Sequence, residues 1–255
     1  MSVVEEHVLT CPKCGKSQNQ EIWNSVNVDL DSDMKEKVLN SEFNVFVCRH
    51  CGVVLQIEWP MLYHDMSGKL MIWLLPSGQS LEHVTTNEDE ALRLLGINQD
   101  GYRKRFVYSR LWLAETIRVF DDGLDDRVVA LIKAAYAVRK RMPANDILYC
   151  EMQNHPVQGK VLVFSSRDSQ AFGYPMEYYR CAQTLVSQYA PADRGSWITV
   201  DHEYARKILS ACADESPEEP ERTQTETGPS VERTAQTDRA AATDEGAPAG
   251  AAKPD

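Results

Sequence analysis

Two short segments, Cys11-Pro12-Lys13-Cys14-Gly15 and Cys48-Arg49-His50-Cys51-Gly52, decide how the N-terminal part of this chain folds. We call them clip 1 and clip 2. Each clip has two residues between its cysteines and a glycine after the second cysteine. Such a turn points both sulfur atoms to one side, and glycine accepts the left-handed backbone conformation that follows. Together the clips supply four thiolates, which are the ligands of a closed tetrahedral metal site.

The predicted metal ligands are Cys11, Cys14, Cys48 and Cys51. Four thiolates leave no coordination position for a substrate or a water molecule, so the clips predict a structural site rather than a catalytic one. We expect zinc, with iron as the alternative, because rubredoxin-like proteins bind iron with the same ligand set. His50 lies inside clip 2 and is expected to be an exposed residue rather than a ligand.

The composition indicates a cytoplasmic protein. Residues 1–10 lack the apolar run of a secretory signal, and no stretch reaches the roughly 18 uninterrupted apolar residues of a membrane span. We therefore expect no contact with a membrane. Seven cysteines are an odd number, and a reducing compartment keeps thiols free to bind metal. Disulfide pairing of the clips is the less favoured alternative.

The charge is uneven along the 255 residues. Residues 213–255 contain 11 acidic and 4 basic side chains, so the first 212 residues carry only −4 of the net charge of −11. That balance gives no general attraction to the phosphates of nucleic acids. The segment 213–255 also lacks Leu, Ile, Met and aromatic residues, and we predict a disordered acidic tail there.

The pattern of apolar residues predicts an α+β fold in three parts. Residues 1–77 are expected to form a zinc-ribbon-like β module, in which the apolar run Val53–Trp59 pairs with Leu70–Leu75 around a loop at Tyr63–Lys69. Residues 78–212 are expected to form a helical hairpin and an α/β portion, either as a second domain or continuous with the first. Residues 213–255 are the tail.

Within residues 78–212 the predicted helices are a short one near 88–95, two packed as a hairpin over 107–120 and 124–141, and two more over 177–189 and 201–209. Ile147–Met152 and Lys160–Ser165 are predicted to be strands of a β-hairpin. On helix 177–189 we expect an inward face made by Tyr178, Cys181, Leu185 and Val186.

Two alternatives to a purely structural role follow from other residues. The adjacent side chains of His64 and Asp65 are weak candidates for acid–base catalysis, and an enzyme would have its site near them. The basic stretch Tyr102–Arg105 with Arg110, and the cluster Arg139–Arg141, suggest a nucleic-acid-binding zinc ribbon. Neither alternative is favoured. A hairpin loop explains His64 and Asp65 more simply, and the solvation of helix ends explains the basic residues.

The chain also resembles the CpXC family, which is named for its Cys-Pro-x-Cys motifs. The matching features are clip 1, the run Trp23–Val28, the cysteines of clip 2, Leu62–Met66 before Ile72-Trp73, and Phe120–Arg127. Clip 2 departs from the motif, because Arg49 stands where a proline would complete it. The resemblance implies zinc bound by the four cysteines and implies no particular activity. We therefore expect a structural zinc-binding protein that acts by contacting another macromolecule, most simply a protein.

Overall fold

The structure is a computed structural model that describes residues 2–76, 99–167, 170–193 and 195–214. These residues belong to one compact unit. They form helices and sheets of both parallel and antiparallel strands, which confirms the α+β class. The predicted helix near 88–95, the boundary between residues 77 and 78, and the tail from residue 215 onward lie outside the described residues.

The described residues contain eleven strands and five α-helices. The strands are β1 (Val3–Thr10), β2 (Ser17–Asn27), β3 (Val45–Val47), β4 (Val54–Gln56), β5 (Met61–Asp65), β6 (Leu70–Leu74), β7 (Arg103–Val107), β8 (Ile147–His155), β9 (Gly159–Ser166), β10 (Ala171–Pro175) and β11 (Trp197–Ile198). The helices are α1 (Asp33–Leu39), α2 (Arg110–Asp121), α3 (Asp126–Lys140), α4 (Met176–Tyr189) and α5 (His202–Asp214), with a 3₁₀ turn at Ala144–Asp146.

The strands form three sheets. The largest has the order β1-β2-β5-β6-β7-β11, and β8, β9 and β10 form an antiparallel meander. β3 and β4 pair with each other. In the large sheet β2 runs parallel to β5, and β7 runs parallel to both β6 and β11. β5 and β6 are buried along almost their whole length, because the sheet is covered on both faces at its centre.

The predicted pairing of Val53–Trp59 with Leu70–Leu75 is wrong. β4 pairs with β3, and the partner of β6 is β5, which contains Tyr63 and His64. Pro60 separates the two strands, and the polar pair His64-Asp65 made the second one resemble a loop. The turn of the β5–β6 hairpin is therefore shorter than predicted.

Two hydrophobic cores lie against the helices. In the first, α1 and α2 cover one face of the large sheet, where Met34 and Leu113 pack with strand residues such as Ile72. In the second, α3, α4 and α5 pack against the meander. The predicted hairpin of β8 and β9 is confirmed. α4 buries Val186 as predicted, but it buries Tyr179 and Ala182 in place of Tyr178 and Cys181, which are exposed.

The structure contradicts the predicted basic surface at Tyr102–Arg105 with Arg110. Arg105 is only 1% exposed, and Lys104 and Arg110 are also buried. The Arg105 guanidinium pairs with the carboxylates of Asp126 and Asp193, both at 2.6 Å. Burial would lower the pKa of Arg105, but the two carboxylates raise it, so the side chain stays charged. Within this stretch, Arg105 fastens β7 to α3 through Asp126.

We predict that Asp126→Asn lowers the free energy of unfolding by about 3 kcal/mol, because it leaves a buried guanidinium short of a negative charge. Urea denaturation measures the change. The control is Glu203→Gln, which breaks the exposed pair with Arg206 and should cost less than about 1 kcal/mol. Equal losses in the two variants would contradict the structural role of the buried pair.

Candidate metal centre

The four clip cysteines lie at one end of the large sheet, where two hairpin turns meet. Clip 1 is the turn between β1 and β2, and clip 2 is the turn between β3 and β4. The Sγ atoms of all four cysteines lie within 4.8 Å of one another. The Cys11–Cys51 and Cys14–Cys48 sulfur pairs, each joining one clip to the other, are both 3.7 Å apart.

The two clips have the same local structure. In each, the glycine N–H donates to the carbonyl of the first cysteine at 2.9 Å, from Gly15 to Cys11 and from Gly52 to Cys48. Both glycines have φ of +71°, a left-handed conformation that a side chain would strain. The N–H of each first cysteine donates at 2.9 Å to the carbonyl oxygen of the residue after the glycine. The sequence repeat Cys-x-x-Cys-Gly is thus a structural repeat.

The sulfur separations fit a tetrahedral metal site. With metal–sulfur bonds of about 2.3 Å, the ligands of a regular tetrahedron are about 3.8 Å apart, close to the observed 3.7 Å. A disulfide requires about 2.05 Å, and none of the seven cysteines forms one. The donor set therefore fits zinc, and it fits tetrahedral iron equally well.

The backbone of clip 2 favours a thiolate. Burial alone would raise the pKa of Cys48, but the N–H groups of His50 and Cys51 lower it to about 6. The N–H of Val53 lowers the pKa of Cys51, yet burial and the neighbouring sulfurs raise it to about 11. Four thiolates repel one another at this distance, and a bound divalent cation removes that cost.

The centre has one buried side and one exposed side. Cys11 and Cys48 are buried and pack with Phe46 in a small core of their own. Cys14 is exposed, and so is His50, which lies outside the sulfur cluster as expected. The clip cysteines themselves form much of this small core. The module therefore buries little apolar surface without them.

Gln18 joins the two hairpins beside the metal ligands. Its side-chain Nε2 donates to the carbonyl of Val47 at 3.0 Å, and its Oε1 accepts from the N–H of Arg49 at 2.8 Å. Further from the centre, Asn44 does the same for β2, accepting from the N–H of Trp23 and donating to its carbonyl. Each amide side chain accepts one hydrogen bond from the backbone and donates one to it, as the backbone of a neighbouring strand does. The sequence analysis missed both residues.

Arg110, the first residue of α2, connects the module to the rest of the chain. Its guanidinium donates to three carbonyl oxygens, those of Phe43 (2.5 Å), Asn44 (3.3 Å) and Ile57 (2.7 Å). It also lies 4.1 Å over the ring of Phe43. A cation in the first turn of a helix is disfavoured by the helix dipole, and this unfavourable position was the signal that could have indicated a special role.

His64 and Asp65 are not brought together. They alternate along β5, so their side chains lie on opposite faces of the sheet. His64 is 4% exposed, and its Nε2 is 3.1 Å from the hydroxyl of Tyr102. Asp65 accepts from the N–H of Gly68 at 2.6 Å and so closes the turn. The geometry offers no shared site for a proton transfer between the two side chains.

Comparison with known proteins agrees with this geometry. The model of a family described as CpXC protein matches residues 9–133, a range that includes all four clip cysteines. This match covers 125 of the 255 residues. The resemblance seen in the sequence is therefore confirmed over this range, which ends within α3. No curated protein and no solved structure gives a significant match.

The helices can also be compared with those that cross membranes. None of the helices in residues 2–76, 99–167, 170–193 and 195–214 combines the length and the apolar character that are needed to cross a membrane.

The buried His64 predicts a pH dependence of stability. Burial lowers the pKa of His64 below its ordinary value of 6.5, so the unfolded chain binds the proton more readily. The stability is therefore present above pH 6.5 and falls as the pH drops below it, by at most about 1.4 kcal/mol per pH unit. His64→Gln should make the slope between pH 7 and 5 shallower in urea denaturation.

The exposed His202 supplies the control for this measurement. His202→Gln should leave the slope as in the parent chain, while any loss of metal in acid affects all three proteins alike. If the stability of His64→Gln depended on pH as steeply as that of the parent chain, the assignment of this dependence to His64 would be contradicted.

Proposed function

We propose that the chain binds one zinc ion through Cys11, Cys14, Cys48 and Cys51, and that this ion has a structural role. The observation that carries the proposal is the convergence of four sulfurs within 4.8 Å of one another, with two pairs at the spacing of a tetrahedral site. Four protein ligands leave no open position for a substrate. Zinc also brings no redox chemistry to a site whose purpose is to hold two hairpins together.

The proposal extends to how the protein acts. We propose that it works in the cytoplasm by contacting another protein on surfaces that the zinc module and the helices position. Seven cysteines without disulfides support a reducing compartment. The burial of Lys104, Arg105 and Arg110 removes three of the seven basic residues that a nucleic-acid surface would use, which favours a protein partner.

Removal of one ligand tests the metal centre. The purified full chain should contain about one zinc per molecule by elemental analysis. Cys14→Ser should lose the zinc and unfold the module, because metal binding and folding are coupled in such small sites. Cys14 is exposed, so the substitution itself disturbs no packing.

The matched control is Cys181→Ser, which changes another exposed cysteine outside the centre. It should keep the full zinc content and the parent stability. A folded chain without bound metal would overturn the proposal, and stoichiometric iron in place of zinc would overturn the choice of metal.

A further inference from the structure

An apolar groove runs between the three helices of the second core. We call it the helical groove. Its volume is about 290 Å³, and it is lined by Leu131, Ile132, Ala135 and Arg139 of α3, Tyr174 of β10, Tyr178, Cys181, Ala182 and Leu185 of α4, and Leu209 of α5. All of these except Arg139 are apolar, aromatic or weakly polar side chains.

The helical groove has a buried floor and an exposed aromatic wall. Leu131, Ile132 and Ala182 are at most 8% exposed, whereas Tyr178 is 56% exposed. Tyr178 packs against Tyr174 with ring centroids 5.1 Å apart. Tyrosine and arginine around a desolvated apolar centre are the residue types that carry most of the binding energy in protein interfaces. The composition of the groove is therefore that of a contact surface.

One end of the helical groove is positively charged. Arg139 lines that end, and Lys140 and Arg141 follow it at the exposed end of α3. The cations of Arg139 and Lys140 lie 5.7 and 5.9 Å from the ring of Tyr136. Among the described residues no carboxylate forms an ion pair with any of these three cations. This cluster is a local concentration of positive charge in a chain whose net charge is −11.

We propose that the helical groove binds an amphipathic helix of a partner protein, with apolar residues along one face and acidic residues at the end near Arg139. This inference rests on the proposed function and names its partner class. A groove of about 290 Å³ equals the liquid volume of about ten water molecules, which accommodates the two or three apolar side chains that such a helix inserts.

The chain's own acidic segment is a poorer occupant. Residues 215–255 carry the negative charge that would suit Arg139, but Val231 is their only large apolar residue. A segment with a single large apolar residue cannot cover the apolar floor of the helical groove. The charge and the apolar surface together therefore fit a helix that supplies both.

Two synthetic helical peptides of about 18 residues test the proposal. Both carry leucines at positions i, i+3, i+4 and i+7, and they differ only in having Glu or Lys in the last turn at each end. Fluorescence anisotropy with the zinc-loaded full chain should show at least tenfold tighter binding of the Glu peptide. Arg139→Glu should weaken binding of that peptide at least tenfold, and Leu185→Asp should abolish binding of both.

The matched control is Val138→Asp, which places the same charge on an exposed position of α3 that does not line the groove. It should bind the Glu peptide as the parent chain does. Binding that is absent for both peptides, or that is equally reduced by Val138→Asp, would overturn the proposal.

A photo-crosslinking residue identifies the occupant directly. With Tyr178 replaced by p-benzoylphenylalanine in the full chain, crosslinks should form to the Glu peptide. Crosslinks to residues 215–255 of the same chain, or to a second copy, that persist in the presence of saturating peptide would overturn the proposal. Zinc content is measured on the same samples. A zinc-loaded chain that fails to bind peptide contradicts only the groove, whereas a chain without zinc contradicts the proposed function.

Discussion

The convergence of four thiols is the constraint on which the N-terminal half of the structure depends. β3 and β4 have three residues each, too few to form an independent sheet. Their own core consists of Cys11, Phe46 and Cys48 with a few half-buried neighbours. A hairpin of this size needs a further link between its parts, and the sulfur cluster supplies it. The side chain of Gln18 adds two hydrogen bonds between the same two hairpins.

A second set of contacts, made by polar side chains, connects the metal module to the rest of the chain. Arg110 reaches from α2 to three carbonyls of the metal module, and Asn44 ties the same region to β2. Each link uses a side chain to satisfy backbone groups that a longer strand would have paired. The ion pairs of Arg105 extend the connection from β7 to α3. Buried polar groups thus hold together the parts that the apolar cores leave separate.

The sequence predicted whatever depends on local pattern. The clips and the β8–β9 hairpin both follow from spacing and periodicity within a few residues. What it did not predict depends on distant partners. Arg105 looks like a surface residue until Asp126 and Asp193 are brought beside it, and β5 looks like a loop until β2 and β6 pair with it on both sides. The candidate dyad of His64 and Asp65 failed to assemble because strand alternation separates neighbours in sequence.

The position of β11 at the edge of the large sheet has a consequence for how the protein is made. Trp197 and Ile198 pair in parallel with β7, some ninety residues earlier in the chain. During synthesis the sheet therefore lacks its last strand until almost the whole folded part has left the ribosome, whereas the clips and their hairpins emerge within the first 57 residues. Contacts between distant residues form slowly because a long loop must close first. The metal module is accordingly positioned to fold ahead of the sheet and to provide β2 as the strand on which the later ones assemble.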